Sequence, residues 1–410
     1  MIDIKYIREN LEEVKKAIEK RGAQIDWEKL IKLDNERRDI LYRIETLRTE
    51  AYIIAREKQR NDRAIEIKRM LKDLEPQLQE AEENFKVIAV TIPNIPQEDV
   101  PEGKDEKDNK VIKEEGKIAL KTGKDHIELG KALDIIDIDR ASKVSGSRFY
   151  YLKNQAVELE FALIKYALDI VKKEGFQPII PPILINEEMA WGSGHFEAVN
   201  DDAYHMRDDE MVAIGTSEQS ILPMHAGETL ESLPKRYIGF STCLRREAGS
   251  YGKDVKGILR AHQFDKLELF SFCHPDKSKE EHELIVSLEE KIVSGLELPY
   301  RVVNLCAGDL GLPSSKTIDI EIYMPGQGEY RETHSSSNCT DFQSRRLRIK
   351  YREGEESGFV HTINGTAVAI GRMLIAIIEN YQQEDGSIQI PEALINYCGF
   401  KEIEITKTTK

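Results

Sequence analysis

Two runs of apolar residues, spaced alternately four and three residues apart, constrain the fold of this chain more than any other feature. The first run extends over 33–54 and the second over 67–88, and each places mainly Leu, Ile and Ala on one stripe of a helix. This spacing is typical of two helices wound into a left-handed coiled coil. The polar interval at 59–62 leaves room only for a tight reversal, so the sequence predicts an antiparallel helical hairpin. About 25 residues per helix would give an arm about 38 Å long.

A short helical segment, 3–22, is expected before the hairpin, and Pro76 falls inside the second apolar run. Proline lacks the backbone amide and its ring collides with the preceding turn, so it usually kinks a helix. Because the apolar stripe continues in phase on both sides of Pro76, we expect a local bend without a break.

The predicted tip of the arm differs in charge from the whole chain. The 410 residues have a net charge of -15, whereas 56–72 holds seven basic and three acidic residues, a local net charge of +4. Positive charge on an extended arm of an acidic protein suggests binding to a phosphate backbone. An ordinary solvated coiled-coil surface remains the alternative. The basic residues are Arg56, Lys58, Arg60, Arg63, Lys68, Arg69 and Lys72.

A stretch rich in proline and charge, "PNIPQEDVPEGKDEKDNK" at 93–110, predicts a domain boundary. A chain of 410 residues exceeds the usual size of one domain. We therefore expect a first domain at 1–100 with the arm at about 27–92, a linker at 101–116, and a second domain at 117–410.

Hairpin signals dominate the middle of the second domain, so the fold class is expected to be α+β, with a mostly antiparallel sheet flanked by helices. The expected elements include a helix at 154–174, a strand at 340–350 and a final helix at 366–382. The chain has no GxxxxGK[ST] loop and no strand-to-helix GxGxxG, so a nucleotide would not bind on a P-loop or in a Rossmann crevice.

One predicted hairpin collects chemically active side chains. It pairs strands 237–247 and 258–270 around the glycine-containing loop 248–257. Two guanidiniums, an aromatic ring and two carboxylates suit a polyphosphate joined to a base, together with a small cationic ligand. An exposed, salt-bridged hairpin is the alternative. The period of two puts Arg245 with Glu247 on one face and groups Arg260, His262, Phe264, Lys266 and Glu268 on another.

The bulk composition limits the other partners. The acidic net charge argues against a globally basic nucleic-acid binder. The five cysteines show neither a CxxC pair nor zinc-site spacing, so we expect reduced thiols and no zinc. The start MIDIKYIREN lacks an apolar signal core, and no apolar run is long enough to span a membrane. These features predict a cytoplasmic protein with no membrane partner.

Seven phrases occur in an order that identifies a family. The chain resembles the seryl-tRNA synthetases, within class II of the aminoacyl-tRNA synthetases, and its motifs are most similar to those of their archaeal and eukaryotic branch. The phrases are "PNIPQEDVP", "ASKVSGSRFYYL" (141–152), "GFQPIIPP" (175–182), "TSE" (216–218), "CLRREAGS" through "HQFDKLE", "RETHSSSNCTDFQSRR" (331–346) and "HTINGTAVAIGR" (361–372).

The resemblance implies a class II catalytic domain that activates L-serine with ATP. The products would be seryl-adenylate and pyrophosphate, and serine would then be transferred to the 3′ end of tRNA(Ser); charging of tRNA(Sec) stays open. It also implies a homodimer formed through 175–182. Two other classes of protein stay open: a binding protein that kept the arm and lost the activation of serine, and a ligase that loads an amino acid onto a carrier protein.

The resemblance further implies a set of site residues. Arg245 and Arg372 would be catalytic, and Glu332 with Ser335 would hold Mg²⁺. His334 is included in the ATP-binding set because of its position in the motif, and a structural role stays open for it. At Ser217 and Thr366 this chain differs from the residues that are more common in the family. ATP would bind Arg245, Arg246, Glu247, Arg260, Phe264, Glu332, Thr333, His334, Ser335 and Arg372. Serine would bind Thr216, Ser217, Glu218, Arg245, Glu268, Asn364 and Thr366.

Overall fold

A computed structural model describes residues 1–56, 62–194, 202–248 and 257–405. The chain divides into two compact units, Met1–Ile95 and Pro96–Lys410. Among the described residues, no helix is long and apolar enough to cross a lipid bilayer.

The first unit is helical. Its described helices α1 to α4 are Ile4–Glu9, Leu11–Lys20, Trp27–Arg56 and Asp62–Ala89. The expected segment at 3–22 is thus two helices, because the chain leaves helical geometry at Asn10. The Asp3 carboxylate caps α1 by accepting a hydrogen bond from the Lys5 amide.

Helices α3 and α4 pair as the predicted arm. Ile44, Leu47, Ile67 and Leu74 are buried between them, with further predicted stripe residues half-buried around this cluster. The helix α4 continues through Pro76, so the prediction that proline would not end it is confirmed. The predicted reversal at 59–62 falls largely outside the described residues.

Arg37 shows how a charged side chain occupies a core position of the arm. Its guanidinium lies 4.9 Å from the centre of the Phe85 ring, and its Nη2 is 2.9 Å from Asp34 Oδ1. The ring covers the cation while the carboxylate pairs with it, so the apolar stripe accepts an arginine.

The second unit combines helices with several sheets. Its described helices α5 to α13 are His126–Ala132, Ile138–Ser145, Gln155–Val171, Glu187–Gly192, Glu218–Ile221, Ser278–Gly295, Phe342–Leu347, Ile370–Asn380 and Glu392–Cys398. Its described strands β1 to β18 are Lys110–Glu115, Ile136–Asp137, Tyr151–Leu152, Gln177–Ile179, Leu184–Asn186, Tyr204–His205, Met211–Ala213, Thr229–Leu230, Lys235–Leu244, Gln263–Cys273, Tyr300–Asn304, Lys316–Met324, Glu329–Asn338, Lys350–Glu353, Glu356–Phe359, His361–Ala369, Ile388–Gln389 and Glu402–Ile403.

The described residues form a central eight-stranded sheet in the order β1-β11-β12-β13-β16-β10-β9-β4. Its neighbouring strands are antiparallel except for β4, which runs parallel to β9. The side chains of α7, α10 and α12 join one face of this sheet in a single apolar core. The expected α+β fold with a mostly antiparallel sheet is confirmed.

Alternation along β12 leaves the other face of the sheet polar. Ile318, Ile320 and Ile322 enter the apolar core, whereas Asp319 and Glu321 line a cavity on the opposite side. One strand therefore supplies both the core and a polar surface for chemistry.

Four local predictions need correction. Residues 110–115 form the edge strand β1 and pair with β11, so 101–116 is part of the second unit and does not link two domains. The segment at 342–347 is a helix, bracketed by left-handed residues at Thr340 and Arg348, and not a strand. The last helix begins at Ile370, because the buried run 361–369 is a central strand; periodicity alone cannot separate such a run from a buried helix.

The fourth correction concerns the hairpin predicted from strands 237–247 and 258–270. Strand β9 ends at Leu244 and β10 begins only at Gln263, so Arg245 and Arg260 lie beyond the paired region. Glu247 has a left-handed φ of 54°, which cannot continue a strand. Most of the loop predicted at 248–257 falls outside the described residues.

Candidate active site

A cavity of about 910 Å³ opens on the polar face of the central sheet. Its size falls within the range of small-molecule sites. Most of the side chains proposed from the sequence to bind substrates line it: Thr216, Glu218, Arg245, Arg260, Glu268, Glu332, Ser335, Asn364, Thr366 and Arg372.

Arg245 is held in place at the end of β9. Its Nε donates to the Gly215 carbonyl oxygen at 3.1 Å, and its guanidinium carbon lies 5.2 Å from the centre of the Phe264 ring. His262 fixes the backbone, since its Nδ1 lies 3.0 Å from the Arg245 carbonyl oxygen and its own carbonyl accepts the Arg245 amide. His262 therefore connects the two chain segments through the backbone of Arg245.

A smaller cavity of about 80 Å³ adjoins the first and is lined by Phe264, Glu247 and Thr333. Arg260 contributes to both cavities and forms an ion pair with Glu247 through its Nε. A flat ring and a carboxylate here, next to arginines shared with the larger cavity, suit a purine attached to a phosphate chain.

A buried ion pair lies at the floor of the larger cavity. Lys266 Nζ is 2.6 Å from Glu268 Oε2, with only 8% and 3% of the two side chains exposed. Thr366 Oγ1 donates to the same carboxylate oxygen at 3.5 Å. Burial raises the pKa of Glu268, the Lys266 ammonium partly offsets this rise, and the nearby charge of Glu218 adds to it.

Side-chain oxygens from β12 and β13 also line the cavity. Glu332 and Ser335 line the cavity, and Asp319 faces Ser335 across the β12–β13 ladder. Burial raises the pKa of Asp319 well above its usual range, the charge of Glu332 adds to this, and a hydrogen bond from Ser335 opposes it. Arg372 Nη1 lies 3.1 Å from Glu332 Oε1, so the cation predicted to bind phosphate and the predicted metal ligand are in contact.

The "TSE" triplet brings two of its three side chains to the cavity. Thr216 and Glu218 line it, and Glu218 Oε1 accepts from Gln343 Nε2 at 2.6 Å. Ser217 turns away: its Oγ lies 2.7 Å from Ser241 Oγ and 3.2 Å from the Gly239 carbonyl oxygen.

The structure does not bring His334 or Arg246 to either cavity. His334 is fully buried, with its Nε2 3.1 Å from the Ala367 carbonyl oxygen and its Nδ1 2.8 Å from Thr333 Oγ1. Burial lowers its pKa to about 3, so the ring is a neutral structural group. Arg246 is exposed and lines neither cavity.

Sequence reasoning missed several charged groups in the cavity, three of which are at least partly buried carboxylates. Asp319, Glu321 and Asp309 all line it, and burial raises the pKa of each. The phrase "TIDIEI" contained the signal for the first two, because its strict alternation puts two carboxylates on one face of a strand.

The described basic residues of the arm differ in their surroundings. Lys68, Arg69 and Lys72 are exposed, whereas Arg63 pairs with Glu50 at 2.7 Å and with Glu66 at 2.8 Å. Arg56 lies over the Tyr52 ring. Lys58 and Arg60 lie outside the described residues.

Across the described parts of the chain, no group of three or more His, Cys, Asp or Glu side chains is arranged to hold a metal ion. Four of the five cysteines are buried, and all five are free thiols.

Two family models match the chain. Residues 1–96 match the "Seryl-tRNA synthetase N-terminal domain", and residues 201–381 match the "tRNA synthetase class II core domain (G, H, P, S and T)". The first covers the helical unit with its arm, and the second covers most of the residues that line the cavity.

Full-length relatives agree with these matches. The serine–tRNA ligase of Pyrococcus horikoshii is 43% identical over 98% of this chain and 97% of the relative. That of Thermodesulfovibrio yellowstonii is 42% identical over 98% of this chain and 100% of the relative. A crystal structure of the Pyrococcus horikoshii seryl-tRNA synthetase complexed with ATP superposes with a TM-score of 0.90, covering 99% of this chain and 100% of that one at 42% identity. With both units and the cavity accounted for, the chain belongs to the seryl-tRNA synthetase family.

Proposed function

We propose that this protein is a serine–tRNA ligase, which activates L-serine with ATP and transfers it to the 3′ end of tRNA(Ser). One observation carries the proposal: Arg245 and Glu268 line the same cavity, together with Arg260 and Arg372. Cations for phosphates and a carboxylate for an ammonium group thus share one enclosed space. The similar enzyme from Pyrococcus horikoshii was crystallised with ATP, which supports the nucleotide assignment.

The nucleotide would extend from the smaller cavity into the larger one. Phe264 would stack on the purine, and Glu247 would accept a hydrogen bond from its amino group. Arg245 and Arg260 would contact the phosphates near the reacting atom, and Arg372 would hold the far end of the chain. These groups already point into the two adjoining cavities, so little rearrangement is needed when ATP binds.

Activation needs no general base. The carboxylate of serine attacks the α-phosphorus, a bond to phosphorus forms, and pyrophosphate leaves with the bonding electrons. Catalysis then depends on in-line positioning and on cations that stabilise the charge developing on the phosphate oxygens. Arg245 is best placed for this, since its guanidinium is fixed between the Gly215 carbonyl and the Phe264 ring.

Serine would be recognised by the buried polar groups of the cavity. The carboxylates of Glu218 and Glu268 would face its ammonium and hydroxyl groups, with Thr216, Asn364 and Thr366 adding further polar contacts. A site that hydrogen-bonds a hydroxyl rejects the deoxy analogue, because its buried polar groups would be left unpaired. Alanine should therefore be excluded strongly, and threonine only by the space that its methyl group requires.

The oxygen-rich wall of the cavity fits a magnesium ion bound with ATP. Glu332 and Ser335 would hold it, and the buried Asp319 Oδ1, which has no hydrogen-bond partner among the described residues, adds another oxygen donor to that wall. Oxygen ligands are those that this hard cation prefers. When bound, magnesium neutralises negative charge on the phosphates; Arg372 remains the protein's own cation at this position.

The first unit would bind tRNA through the arm. The exposed cations Lys68, Arg69 and Lys72 support contact with a phosphate backbone, with recognition by shape rather than by base sequence. Because the carrier-protein ligases related to this family lack such an arm, the arm favours tRNA as the acceptor. Charging of tRNA(Sec) by the same route belongs to this proposal.

The remaining parts of the proposal concern assembly, location and lineage. Ile180, Ile183 and Leu184 are exposed apolar residues in and beside the segment 175–182, which supports a homodimer formed there. Free thiols favour a reducing, cytoplasmic location. The archaeal and eukaryotic branch has support from the Pyrococcus horikoshii relative, but relatives of similar identity come from bacteria such as Thermodesulfovibrio yellowstonii.

Deletion of residues 27–92 tests the two halves of the proposal separately. We expect serine-dependent exchange between ATP and pyrophosphate to remain and transfer of serine to tRNA to be lost. An arm-deleted protein that still charged tRNA efficiently would contradict the role of the arm. Intact protein without serine-dependent exchange would instead support a binding protein that has lost activation.

A further inference from the structure

A buried histidine outside the cavity joins three elements that surround the nucleotide-binding residues. His126 is the first residue of α5 and is 4% exposed. Its Nδ1 lies 2.8 Å from Glu379 Oε1 in α12, and its Nε2 lies 3.3 Å from the Ile258 amide nitrogen. The serine and ATP contacts proposed above do not use it.

The hydrogen bonds determine the tautomer of this ring. A backbone amide only donates, so Nε2 must accept from Ile258 and carry no proton. The proton is then on Nδ1, which donates to Glu379. Glu379 is fully buried and also accepts the backbone amides of His126 at 3.0 Å and Gly326 at 2.9 Å. The carboxylate therefore fixes both the orientation of the imidazole and the start of α5.

The amide that His126 accepts belongs to the segment leading into Arg260. Ile258 lies two residues before Arg260, and the Leu259 carbonyl oxygen accepts from Arg372 Nε at 3.4 Å. On the other side, a Cβ at Gly371 would lie 3.2 Å from the Ile258 carbonyl oxygen. Residues 258 and 259 are thus held between the imidazole and the first turn of α12.

We infer that His126 is a positioning residue for the nucleotide site: held by Glu379, it accepts the Ile258 amide and fixes the segment that supplies Arg260 and the backbone partner of Arg372. The inference rests on the proposed function, because it assumes that Arg260 and Arg372 bind ATP. Arg260 lies before β10, which begins at Gln263, and Arg372 lies in the first turn of α12. Strand pairing therefore does not hold the segment at 258–260, and the buried hydrogen bond from the Ile258 amide to His126 holds it instead.

Two variants separate the two hydrogen bonds of the ring. In His126→Asn the side-chain amide reaches the Nδ1 position, so a donor for Glu379 remains and the acceptor for Ile258 is lost. In His126→Gln the amide oxygen reaches the Nε2 position and can still accept from Ile258. Serine-dependent exchange between ATP and pyrophosphate would be measured for both, with the KM of ATP and the KM of serine determined separately.

We expect kcat/KM for ATP to fall about tenfold in His126→Asn and less than about threefold in His126→Gln, the loss expected for one buried hydrogen bond. The KM of serine should change less than about twofold in either. Amide hydrogen exchange at 258–262, followed by mass spectrometry, should accelerate in His126→Asn and stay close to wild type in His126→Gln. A wild-type KM for ATP in His126→Asn, or equal losses in the two variants, would overturn the inference.

The contact can also be tested from the side of the loop if His126→Asn fails to fold. A Cβ at Gly257 would lie 2.1 Å from His126 Nε2, so Gly257→Ala should displace the ring and raise the KM of ATP. Gly354→Ala is the matched control for backbone strain, because Gly354 also has positive φ and a Cβ added there would meet no atom within 4 Å. Equal KM values for the two alanine variants would count against the inference. Absence of exchange in the wild-type protein would instead refute the proposed function, whereas the amide-exchange comparison at 258–262 would still test the contact.

Discussion

Lys266 Nζ lies 2.6 Å from Glu268 Oε2 in the floor of the cavity, and both side chains are almost fully buried. The Lys266 ammonium therefore favours the charged form of the carboxylate that is proposed to receive the serine ammonium. Burial alone raises the pKa of Glu268, and Lys266 opposes that rise.

Replacing Lys266 by methionine should weaken serine binding and destabilise the fold. Loss of the ammonium leaves Glu268 buried without its partner, which typically costs about 3 to 5 kcal/mol of stability. The pKa of Glu268 should rise further, so the acid limb of kcat/KM for serine should move to higher pH. A pH profile of exchange measures this shift. Lys277→Met, which removes an exposed ion pair with Glu280, is the control; identical profiles for the two variants would contradict the role of Lys266.

Arg245→Ala should lower kcat for exchange by about 100- to 1000-fold, the usual effect of losing one preorganised donor in a polar transition state. Arg245→Lys should not restore the rate, because an ammonium cannot both donate to the Gly215 carbonyl and stack on the Phe264 ring. Single-turnover formation of the adenylate is the measurement, and Arg352→Ala at an exposed position of β14 is the control. A loss below tenfold would rule Arg245 out as the main cation.

Substitution of Lys68, Arg69 and Lys72 by glutamine should weaken binding of tRNA and reduce its salt dependence. Each lost phosphate contact should lower the slope of log K against log salt by about one. Arg63→Gln should change this slope much less, since its guanidinium is already paired with Glu50 and Glu66. Filter binding at several salt concentrations provides the slopes. Equal slopes for the triple variant and the wild type would place tRNA elsewhere.

Glu289→Gln should stabilise the protein increasingly as the pH rises. Glu289 in α10 is fully buried, and neither carboxylate oxygen has a hydrogen-bond partner among the described residues. Burial raises its pKa well above the usual range, and the charges of Glu268 and Asp319 raise it further. The stability linked to its proton is complete below pH about 4.5 and is lost above it, at about 1.4 kcal/mol per pH unit until the folded-state pKa is reached.

Thermal midpoints of Glu289→Gln and wild type from pH 5 to pH 8 check this linkage. The difference should be small at the acid end and grow toward the alkaline end, because glutamine never ionises. Glu283→Gln, at an exposed position of the same helix, should show no such trend. A difference independent of pH would show that Glu289 does not titrate abnormally.

The sequence was sufficient to predict the features that follow from strong periodicity. The 4-3 spacing predicted the arm, because burying Ile44, Leu47, Ile67 and Leu74 requires two helices side by side. Arg245 and Glu268, which the family resemblance assigned to one serine site, line the same cavity. The arm was predictable because the period of a helix determines which face each side chain occupies.

Features set by individual backbone angles or by distant contacts were not predictable. Glu247 has a left-handed φ, so it cannot belong to a strand, although the sequence pattern predicted a strand that extended to this residue. His334 resembles a ligand by its position in the chain, yet its ring is buried against Ala367 from another strand. The pairing of β1 with β11 joins residues almost 200 positions apart, so a polar segment looked like a linker.

Serine-dependent exchange of pyrophosphate into ATP, compared across serine, threonine, alanine and glycine, tests most directly whether one cavity joins an amino acid to a nucleotide. We expect rapid exchange with serine, and a kcat/KM for alanine lower on the order of 10⁴-fold because the hydroxyl-binding groups would be left unpaired. Exchange that is absent with serine, or equally fast with alanine, would contradict the account.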